Sequence, residues 1–288
     1  MSIELKNIGF TYGQGTAFEH CALKNINLKI QKNEFVGIIG QTGSGKSTLV
    51  QLLNGLLKAT TGDLLYEKRS IYEKNYDLKT LRQKVGLVFQ YPEHQLFEVD
   101  VLSDVCFGPK NQGLSLEDAK IRAKEALSMV GMKESYYVKS PFELSGGQKR
   151  RVAIAGVLAM KPEFLILDEP SAGLDLKARD EILGTIAGLK EKTGISIILV
   201  SHSMEDVAKY VDRLIVMNKS EIIYDDTPKA VFRNYKELEK IGLRAPQITY
   251  LVHRLKQEGI DIDTDITKLS EAKEALIRLI DKKRDINK

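Results

Sequence analysis

The chain has 288 residues, of which 43% are hydrophobic and 28% are charged, and its formal net charge is +4. These values describe a globular protein with room for one large domain plus an appendage, or for two domains, and the charge is too small to indicate nucleic-acid binding. No apolar run approaches the roughly 18 residues of a membrane span, and no signal-peptide core lies near the start. The two cysteines lack the spacing of a metal site. If the protein works at a membrane, we expect another chain to supply the membrane part.

The first predicted elements are strands, because apolar and polar residues alternate through much of residues 1 to about 35. The continuous apolar run at residues 35–39 is typical of a strand buried in a parallel sheet. A glycine-rich loop follows it. The helix predicted after this loop has leucines at helical spacing, namely Leu49, Leu52, Leu53 and Leu56.

The glycine-rich loop reads Gly-Gln-Thr-Gly-Ser-Gly-Lys-Ser at residues 40–47, which fits the pattern of a phosphate-binding P-loop. Its glycines let backbone amides converge on an anion, and the helix N-terminus adds its positive dipole end. Lys46 can reach the outer phosphates, and the Ser47 hydroxyl can bind Mg²⁺. A dinucleotide-binding loop fits less well, because its glycines would stand in the order G-x-G-x-x-G.

Further strands and helices are predicted in alternation along the rest of the chain. Apolar runs predict strands at residues 85–89, 164–167 and 195–200, a helix at residues 177–192 and a closing hairpin at residues 214–224.

Two local patterns concern helices between the first and second of these strands. Ser115 is predicted to cap a helix whose first turn contains Glu117 and Asp118. The basic run at residues 149–151, Lys-Arg-Arg, is interpreted as the solvated face of another helix.

From about residue 234 the pattern is purely helical. One amphipathic helix is predicted to begin at Pro246 and to end at Gly259. A last helix is predicted with Ser270 as its N-cap. Its apolar stripe and its basic end are formed by Leu276, Leu279 and Ile280 and by Lys282, Lys283 and Arg284. These helices either pad the main domain or form a dimerisation element, and amphipathicity alone does not choose between the two.

A second motif, Leu-Ser-Gly-Gly-Gln at residues 144–148, precedes another amphipathic stretch. Ser145 is placed to cap a helix, and the two glycines leave backbone amides open to an anion. A chain with a P-loop and this motif resembles the ATP-binding cassette (ABC) ATPases. Residues 144–148 match the signature motif of that family letter for letter. The resemblance covers about residues 3–227.

The resemblance implies an α/β fold, that of a P-loop NTPase with a RecA-like core. An N-terminal antiparallel β subdomain, a helical subdomain at about residues 96–160 and a C-terminal helical extension complete the expected fold. The expected domains are an ATPase domain, residues 1–233, and the extension, residues 234–288, as a dimerisation element.

The resemblance also assigns site residues. Glu169 would orient and polarise the attacking water, and His202 would contact the γ-phosphate. The expected Mg²⁺ residues are Ser47, Gln90 and Asp168. The expected ATP-binding residues are Tyr12, which would stack on adenine, Gly40, Gln41, Thr42, Gly43, Ser44, Gly45, Lys46, Ser47, Thr48 and Gln90. The signature residues, which would act on a partner's ATP, are Leu144, Ser145, Gly146, Gly147 and Gln148. The D-loop residues are Ser171, Ala172, Gly173, Leu174 and Asp175.

Two stretches resemble the energy-coupling factor class within this family: residues 90–97, Gln-Tyr-Pro-Glu-His-Gln-Leu-Phe, and residues 107–111, Phe-Gly-Pro-Lys-Asn. This likeness implies an ATP-hydrolysing subunit that powers an importer of vitamins or transition-metal ions. A membrane coupling protein would dock near residues 90–97, and a separate membrane protein would capture the substrate. The Tyr-Pro-Glu-His form resembles the second of two paralogous ATPase subunits and favours a heterodimer. The expected location is the cytoplasmic face of the cell membrane.

Other readings stay open at this point. Residues 90–97 can be a variable surface loop. A soluble ABC-type ATPase acting on ribosomes or nucleic acid is one rival function, although such proteins usually carry two cassettes or long coiled-coil insertions. A regulatory subunit that does not hydrolyse ATP is another, against which the presence of Glu169 and His202 argues. Serine at position 171 and leucine at position 176 depart from the usual threonine and proline of the family, without touching a catalytic residue.

Overall fold

The structure is a computed structural model that describes residues 2–286, with side chains as far as residue 281. The basic end predicted at Lys282, Lys283 and Arg284 therefore lies outside the described side chains. Within residues 2–286, no helix is long and apolar enough to cross a membrane.

Ten strands are described, and together they form two sheets. In chain order they are β1 (Ser2–Tyr12), β2 (His20–Gln31), β3 (Phe35–Gly40), β4 (Thr61–Tyr66), β5 (Arg69–Ser70), β6 (Val85–Val88), β7 (Phe164–Asp168), β8 (Ser196–Val200), β9 (Arg213–Asn218) and β10 (Glu221–Asp226).

The helices described in residues 2–286 lie between and after these strands. They are α1 (Lys46–Leu53), α2 (Leu78–Lys84), α3 (Val101–Asn111), α4 (Leu116–Met129), α5 (Gly146–Leu158), α6 (Leu176–Thr193), α7 (Met204–Tyr210), α8 (Pro228–Arg233), α9 (Tyr235–Lys240), α10 (Gln247–Gln257) and α11 (Leu269–Ile286).

The larger sheet has the strand order β10-β9-β3-β8-β7-β6. All neighbouring strands from β9 to β6 are parallel, and only the edge strand β10 runs antiparallel. Every residue of β3, β7 and β8 is buried, as expected for central strands of a parallel sheet covered on both faces. Because parallel strands end at the same edge, the segments after β3, β6, β7 and β8 meet there.

The smaller sheet is antiparallel, with the order β2-β1-β4-β5. Its apolar face packs with α1 and with one face of the larger sheet in a shared core that includes Ile3, Leu5, Val36 and Leu49. The helix α1 is therefore held between the two sheets, and its N-terminus is fixed at the end of β3. These features agree with the expected RecA-like core and antiparallel subdomain.

Helices α3, α4 and α5 pack against one another on the other face of the larger sheet. Ser115 caps α4 as predicted, because its side chain accepts a hydrogen bond from the Asp118 amide. The interpretation of residues 149–151 as a solvated face is wrong for Arg150, which is only 1% exposed. Its guanidinium has hydrogen-bond partners inside the molecule, which the charge pattern alone did not reveal.

The C-terminal helices differ from prediction in two places. α10 begins directly after Pro246 and ends just before Gly259, as expected. However, α11 begins at Leu269, so Ser270 lies in its first turn and is not the N-cap. Of the predicted stripe, Leu276 and Leu279 pack on a small cluster around Val252, whereas Ile280 is exposed.

Candidate functional site

The P-loop connects β3 to α1 and lies where the parallel strands of the larger sheet have their carboxyl ends. Gly45 has φ +102°, and a Cβ at this position would stand 2.3 Å from the Ala22 carbonyl oxygen. A side chain therefore does not fit, so the close backbone path of the loop requires glycine here.

The ammonium group of Lys46 is buried within this loop. Its Nζ donates to the carbonyl oxygens of Gly40 at 2.8 Å and Gln41 at 2.9 Å. Burial lowers the pKa of Lys46, and the nearby carboxylates of Glu169 and Asp168 oppose this shift. A buried cation whose hydrogen-bond acceptors are neutral carbonyls is well placed to take an anion instead.

Ser44 supports the same conclusion. It is 3% exposed, and its Oγ has no hydrogen-bond partner among the described residues. Buried hydroxyl groups are rarely left without a partner unless a ligand or water completes the site. The hydroxyl and the buried ammonium of Lys46 together fit the oxygen atoms of a phosphate.

Asp168, the last residue of β7, faces the start of α1. It is hydrogen-bonded to Ser47, and burial raises its pKa while Ser47, Lys46 and His202 act in the opposite direction. A hydroxyl and a carboxylate are hard oxygen ligands of the kind that Mg²⁺ prefers. These two residues therefore fit a magnesium ion beside the phosphate site. Gln90, the third predicted metal residue, follows the neighbouring strand β6 and is exposed.

Glu169 follows Asp168 and lies against His202, whose Nε2 is 2.6 Å from the Glu169 Oε1. Its backbone has φ +50° and its amide donates to the Val200 carbonyl oxygen at 3.1 Å. Burial raises the pKa of Glu169, and the charge of His202 opposes the rise. A left-handed backbone at a non-glycine residue costs about 1–3 kcal/mol, a form of strain that is common at active sites.

Tyr12 ends β1 beside the start of α1. Its hydroxyl lies 3.1 Å from the Thr48 Oγ1, and its ring is 41% exposed. Phe10 packs on the ring edge-to-face, with the two centroids 4.7 Å apart. The structure therefore brings the predicted adenine-stacking residue next to the P-loop helix and leaves part of its ring open.

The signature motif lies elsewhere in the chain. Ser145 caps α5 through a reciprocal pair of hydrogen bonds with Gln148, as the sequence predicted. Residues 145–148 of the motif line a cavity of about 620 Å³ together with the D-loop residues Gly173, Leu174 and Asp175.

A second cavity, of about 540 Å³, is lined by the P-loop residues Gly40, Gln41 and Thr42 and by His202. None of its lining residues belongs to the signature cavity. The single chain therefore brings together the P-loop, Asp168, Glu169 and His202, whereas its signature motif lines a different cavity.

The second cavity has a wall that the sequence did not predict, formed by Gly242, Leu243 and Arg244 of the C-terminal extension. Gly242 packs on the Gln41 side chain, since a Cβ added to Gly242 would stand 1.9 Å from the Gln41 Nε2. The Gln247 amide also donates to Glu205 Oε1 at 3.3 Å, so the extension contacts the helix that follows His202. In the sequence, Gly242 is a lone glycine between two helical patterns, which indicates a turn but not a contact with the P-loop.

Residues 90–97, which we name the docking segment, leave the sheet edge after β6 through a short 3₁₀ turn at Pro92–Gln95. Tyr91 and Phe97 are exposed, and Phe97 packs edge-to-face on the exposed Phe107 with centroids 5.0 Å apart. The amide of Phe97 donates to the Asp104 carboxylate at 2.8 Å, which fixes the end of the segment on α3. The result is a fixed surface with exposed aromatic rings.

Comparisons with known proteins identify the family. A family model described as ABC transporter matches residues 23–172. The energy-coupling factor transporter ATP-binding protein EcfA2 of Clostridium perfringens is 53% identical over 281 residues, which cover 97% of this chain and 99% of that relative. The chain belongs to the ATP-binding proteins of energy-coupling factor transporters. The protein of the same name from Caldanaerobacter subterraneus is also 53% identical, over 97% of this chain and 98% of the relative.

Solved structures of ABC proteins share the fold of this chain. The structure of cbiO1 from Clostridium perfringens, described as part of the ABC transporter complex cbiONQ, is 39% identical with a TM-score of 0.74 and covers 87% of this chain and 98% of that one. A dimeric ATP-binding cassette bound to ADP and Pi is 32% identical with a TM-score of 0.70, and covers 78% of this chain and 98% of that one. This energy-coupling factor protein is therefore an ABC ATPase whose ATP hydrolysis is coupled to transport.

One prediction tests the contact between the extension and the P-loop of this energy-coupling factor ATPase. Gly242 and Gly259 both have positive φ, but a Cβ at Gly259 meets nothing within 4 Å. We expect Gly242→Ala and Gly259→Ala each to lose about 1–2 kcal/mol of stability through backbone strain. Only Gly242→Ala is expected to raise the KM for ATP, because it displaces Gln41. Equal KM values for the two variants in an ATPase assay would contradict this contact.

Proposed function

We propose that this chain hydrolyses ATP as one half of a pair of ATPase chains. Each ATP would be held between the P-loop of one chain and the signature motif of the other. The observation that carries this proposal is the separation of the two cavities, which share no lining residue although both contain groups suited to phosphate. A second chain placed face to face would complete both sites at once.

The phosphates would be bound by this chain's P-loop amides, by Lys46 and by the Ser44 hydroxyl. The γ-phosphate would also meet Gln90 and His202 on this side and the partner's signature motif on the other. One charge pair about 4 Å apart contributes about 4 kcal/mol at an effective dielectric near 20. Loss of the γ-phosphate therefore removes enough interaction energy to open the pair.

Hydrolysis would proceed by attack of a water oxygen on the γ-phosphorus, in line with the bond to the bridging oxygen that leaves with ADP. Glu169 would orient this water and accept its proton, while His202 would hold the γ-phosphate and steady the Glu169 carboxylate. When bound at Ser47, Asp168 and Gln90, Mg²⁺ would neutralise charge on the β- and γ-phosphates. The strained backbone of Glu169 and its hydrogen bond to Val200 would keep the carboxylate in place.

The division into an ATPase domain, residues 1–233, and a C-terminal extension, residues 234–288, is part of this proposal. The extension would pair with the partner chain through apolar side chains that this chain leaves exposed. These side chains are Leu251, Leu269, Ile277 and Ile280. The Tyr-Pro-Glu-His form of the docking segment favours a paralogous ATPase chain as the partner over a second copy.

The docking segment would receive helices of a membrane coupling protein at the cytoplasmic face of the membrane. The exposed Tyr91 and Phe97 of the segment and the neighbouring Phe107 of α3 support this, because aromatic side chains are enriched at the centres of protein interfaces. The segment directly follows Gln90, so a change at the γ-phosphate would be felt at the docked helix. The imported vitamin or metal ion would be recognised by a separate membrane protein.

Purification of the tagged chain from membranes tests this function. We expect an integral membrane protein and a second, different ATPase chain to co-purify, and we expect the complex to hydrolyse ATP with Mg²⁺. Mass spectrometry identifies the second ATPase and distinguishes a heterodimer from two copies of this chain. Recovery with ribosomes or nucleic acid, and without a membrane protein, would overturn the transporter function.

A further inference from the structure

A buried arginine joins three parts of the molecule that the proposed function uses separately. Arg150 lies in α5, one and a half turns after the signature serine Ser145, and is 1% exposed. Its Nε and Nη2 donate to the two carboxylate oxygens of Glu93 at 3.1 and 2.7 Å. Glu93 lies in the 3₁₀ turn of the docking segment. The pair is thus a bidentate link between the signature helix and the docking segment.

The remaining guanidinium nitrogen of Arg150 reaches the turn that carries Glu169. Its Nη1 donates to the carbonyl oxygens of Pro170 at 2.9 Å and Ala172 at 2.7 Å. The same turn is closed by the Ala172 amide, which donates to the Glu169 carbonyl oxygen at 3.1 Å. Val200 holds the turn from the sheet side and Arg150 holds it from the side of the docking segment.

A gain in folding stability does not by itself explain why Arg150 and Glu93 form a buried ion pair. Burial raises the pKa of Glu93, but the hydrogen bonds and charge of Arg150 outweigh this and bring it below its ordinary value, so the carboxylate stays ionised. Burying an ion pair costs much of what its attraction returns, and apolar replacements of similar volume are often as stable. What the guanidinium supplies is fixed geometry, because its planar fork bonds a carboxylate and two carbonyls at the same time.

We infer that Arg150 is a positioning residue, which couples the docking segment to the turn of Glu169 and to the signature helix. When a docked membrane helix shifts Glu93, Arg150 moves with it and resets both the Pro170–Ala172 carbonyls and the start of α5. Docking would then control how fast bound ATP is hydrolysed and not how tightly it binds. This inference rests on the proposed function, since it requires a membrane partner at the docking segment.

The test compares the wild-type complex, purified with its membrane protein, with complexes carrying Arg150→Lys. Lysine keeps the charge but is a point donor and cannot bond the carboxylate and both carbonyls. We expect kcat for ATP to fall about tenfold, the effect of losing one hydrogen bond to a charged group. The KM for ATP should stay within about twofold, because Lys46 and the P-loop are untouched. Removal of the membrane protein should change the kcat of the variant far less than that of the wild type.

Arg213→Lys is the matched control. Arg213 also forms a bidentate pair, with Asp225, and donates to a backbone carbonyl, that of Lys29, but it lies at the opposite end of the sheet. A similar loss of kcat in this control, or an equal rise of KM in Arg150→Lys, would show a structural role and overturn the inference. Unchanged kcat in Arg150→Lys would overturn it too.

A double-mutant cycle that combines Arg150→Lys with Glu93→Gln adds an independent measurement of kcat. If the pair acts as one unit, the double variant will have a kcat close to that of the more impaired single variant. If the fold-losses in kcat of the two single variants multiply in the double variant, Arg150 and Glu93 act separately, which would contradict the inference. A wild-type complex that does not hydrolyse ATP, or that contains no membrane protein, would instead refute the proposed function, so the two failures are distinguishable.

Discussion

Glu169→Gln is expected to slow ATP hydrolysis by about a thousandfold while ATP remains bound, because a positioned general base contributes about 10²–10⁴ to the rate. Glutamine has nearly the shape of glutamate and can stay near His202, but it cannot accept the proton of the attacking water. The pair of chains should then stay closed on unhydrolysed ATP. Single-turnover hydrolysis measures the rate, and size-exclusion chromatography with ATP and Mg²⁺ measures the trapped pair.

The control for this variant is Glu163→Gln, which makes the same chemical change just before the other end of β7. Glu163 accepts hydrogen bonds from Tyr66 and Lys84 and lies away from the P-loop edge of the sheet. We expect it to lower stability with little change in kcat. Hydrolysis at the wild-type rate in Glu169→Gln would remove Glu169 from the role of base.

Lys46→Ala is expected to weaken ATP binding by about a thousandfold. A charge pair about 4 Å apart contributes about 4 kcal/mol at an effective dielectric near 20, and each 1.4 kcal/mol changes the dissociation constant about tenfold. The buried ammonium lies within the loop, and alanine leaves the backbone amides and the Ser44 hydroxyl without this cation. Isothermal titration with ATP and Mg²⁺ measures the affinity directly. The variant should remain folded, because the partners of the ammonium are neutral carbonyls.

Lys84→Ala is the companion to this experiment. Lys84 forms an ion pair with Glu163 and ends the helix before β6, at the edge of the sheet away from the P-loop. We expect its ATP affinity to match that of the wild type. Affinity that is unchanged in Lys46→Ala as well would contradict the assignment of residues 40–47 as the phosphate site.

The sequence predicted the parts of this structure that depend on neighbouring residues. The strands β3, β7 and β8 are continuous apolar runs, which are recognisable because both faces of a central parallel strand are buried. The P-loop motif is contiguous, so its spacing alone indicated a phosphate site, whereas the signature motif gained its meaning only in combination with the P-loop. The roles of Asp168, Glu169 and His202 came from the resemblance to the ABC ATPases, and the parallel topology places these residues at or just after the ends of β7 and β8.

Features that depend on distant partners were not predictable in this way. The burial of Arg150 depends on Glu93, 57 positions earlier, and on carbonyls that follow β7. A run of three basic residues carries no sign of which one turns inward. Ser270 is a favourable N-cap by residue type, yet α11 begins one residue before it, shortly after the buried Ile266 and Thr267. Residue type alone therefore does not determine the residue at which a helix begins.

The packing of Gly242 on Gln41 places the C-terminal extension directly against a residue of the P-loop. A partner that binds the extension and shifts this contact is expected to alter ATP affinity, and ATP would then alter the affinity of that partner by the same factor. This reciprocal coupling requires no large motion. It requires only that the contact between Gly242 and Gln41 differ in free energy with and without the bound partner. We therefore expect the dissociation constant for ATP measured on an isolated chain to differ from the one measured in a complex that holds the extension.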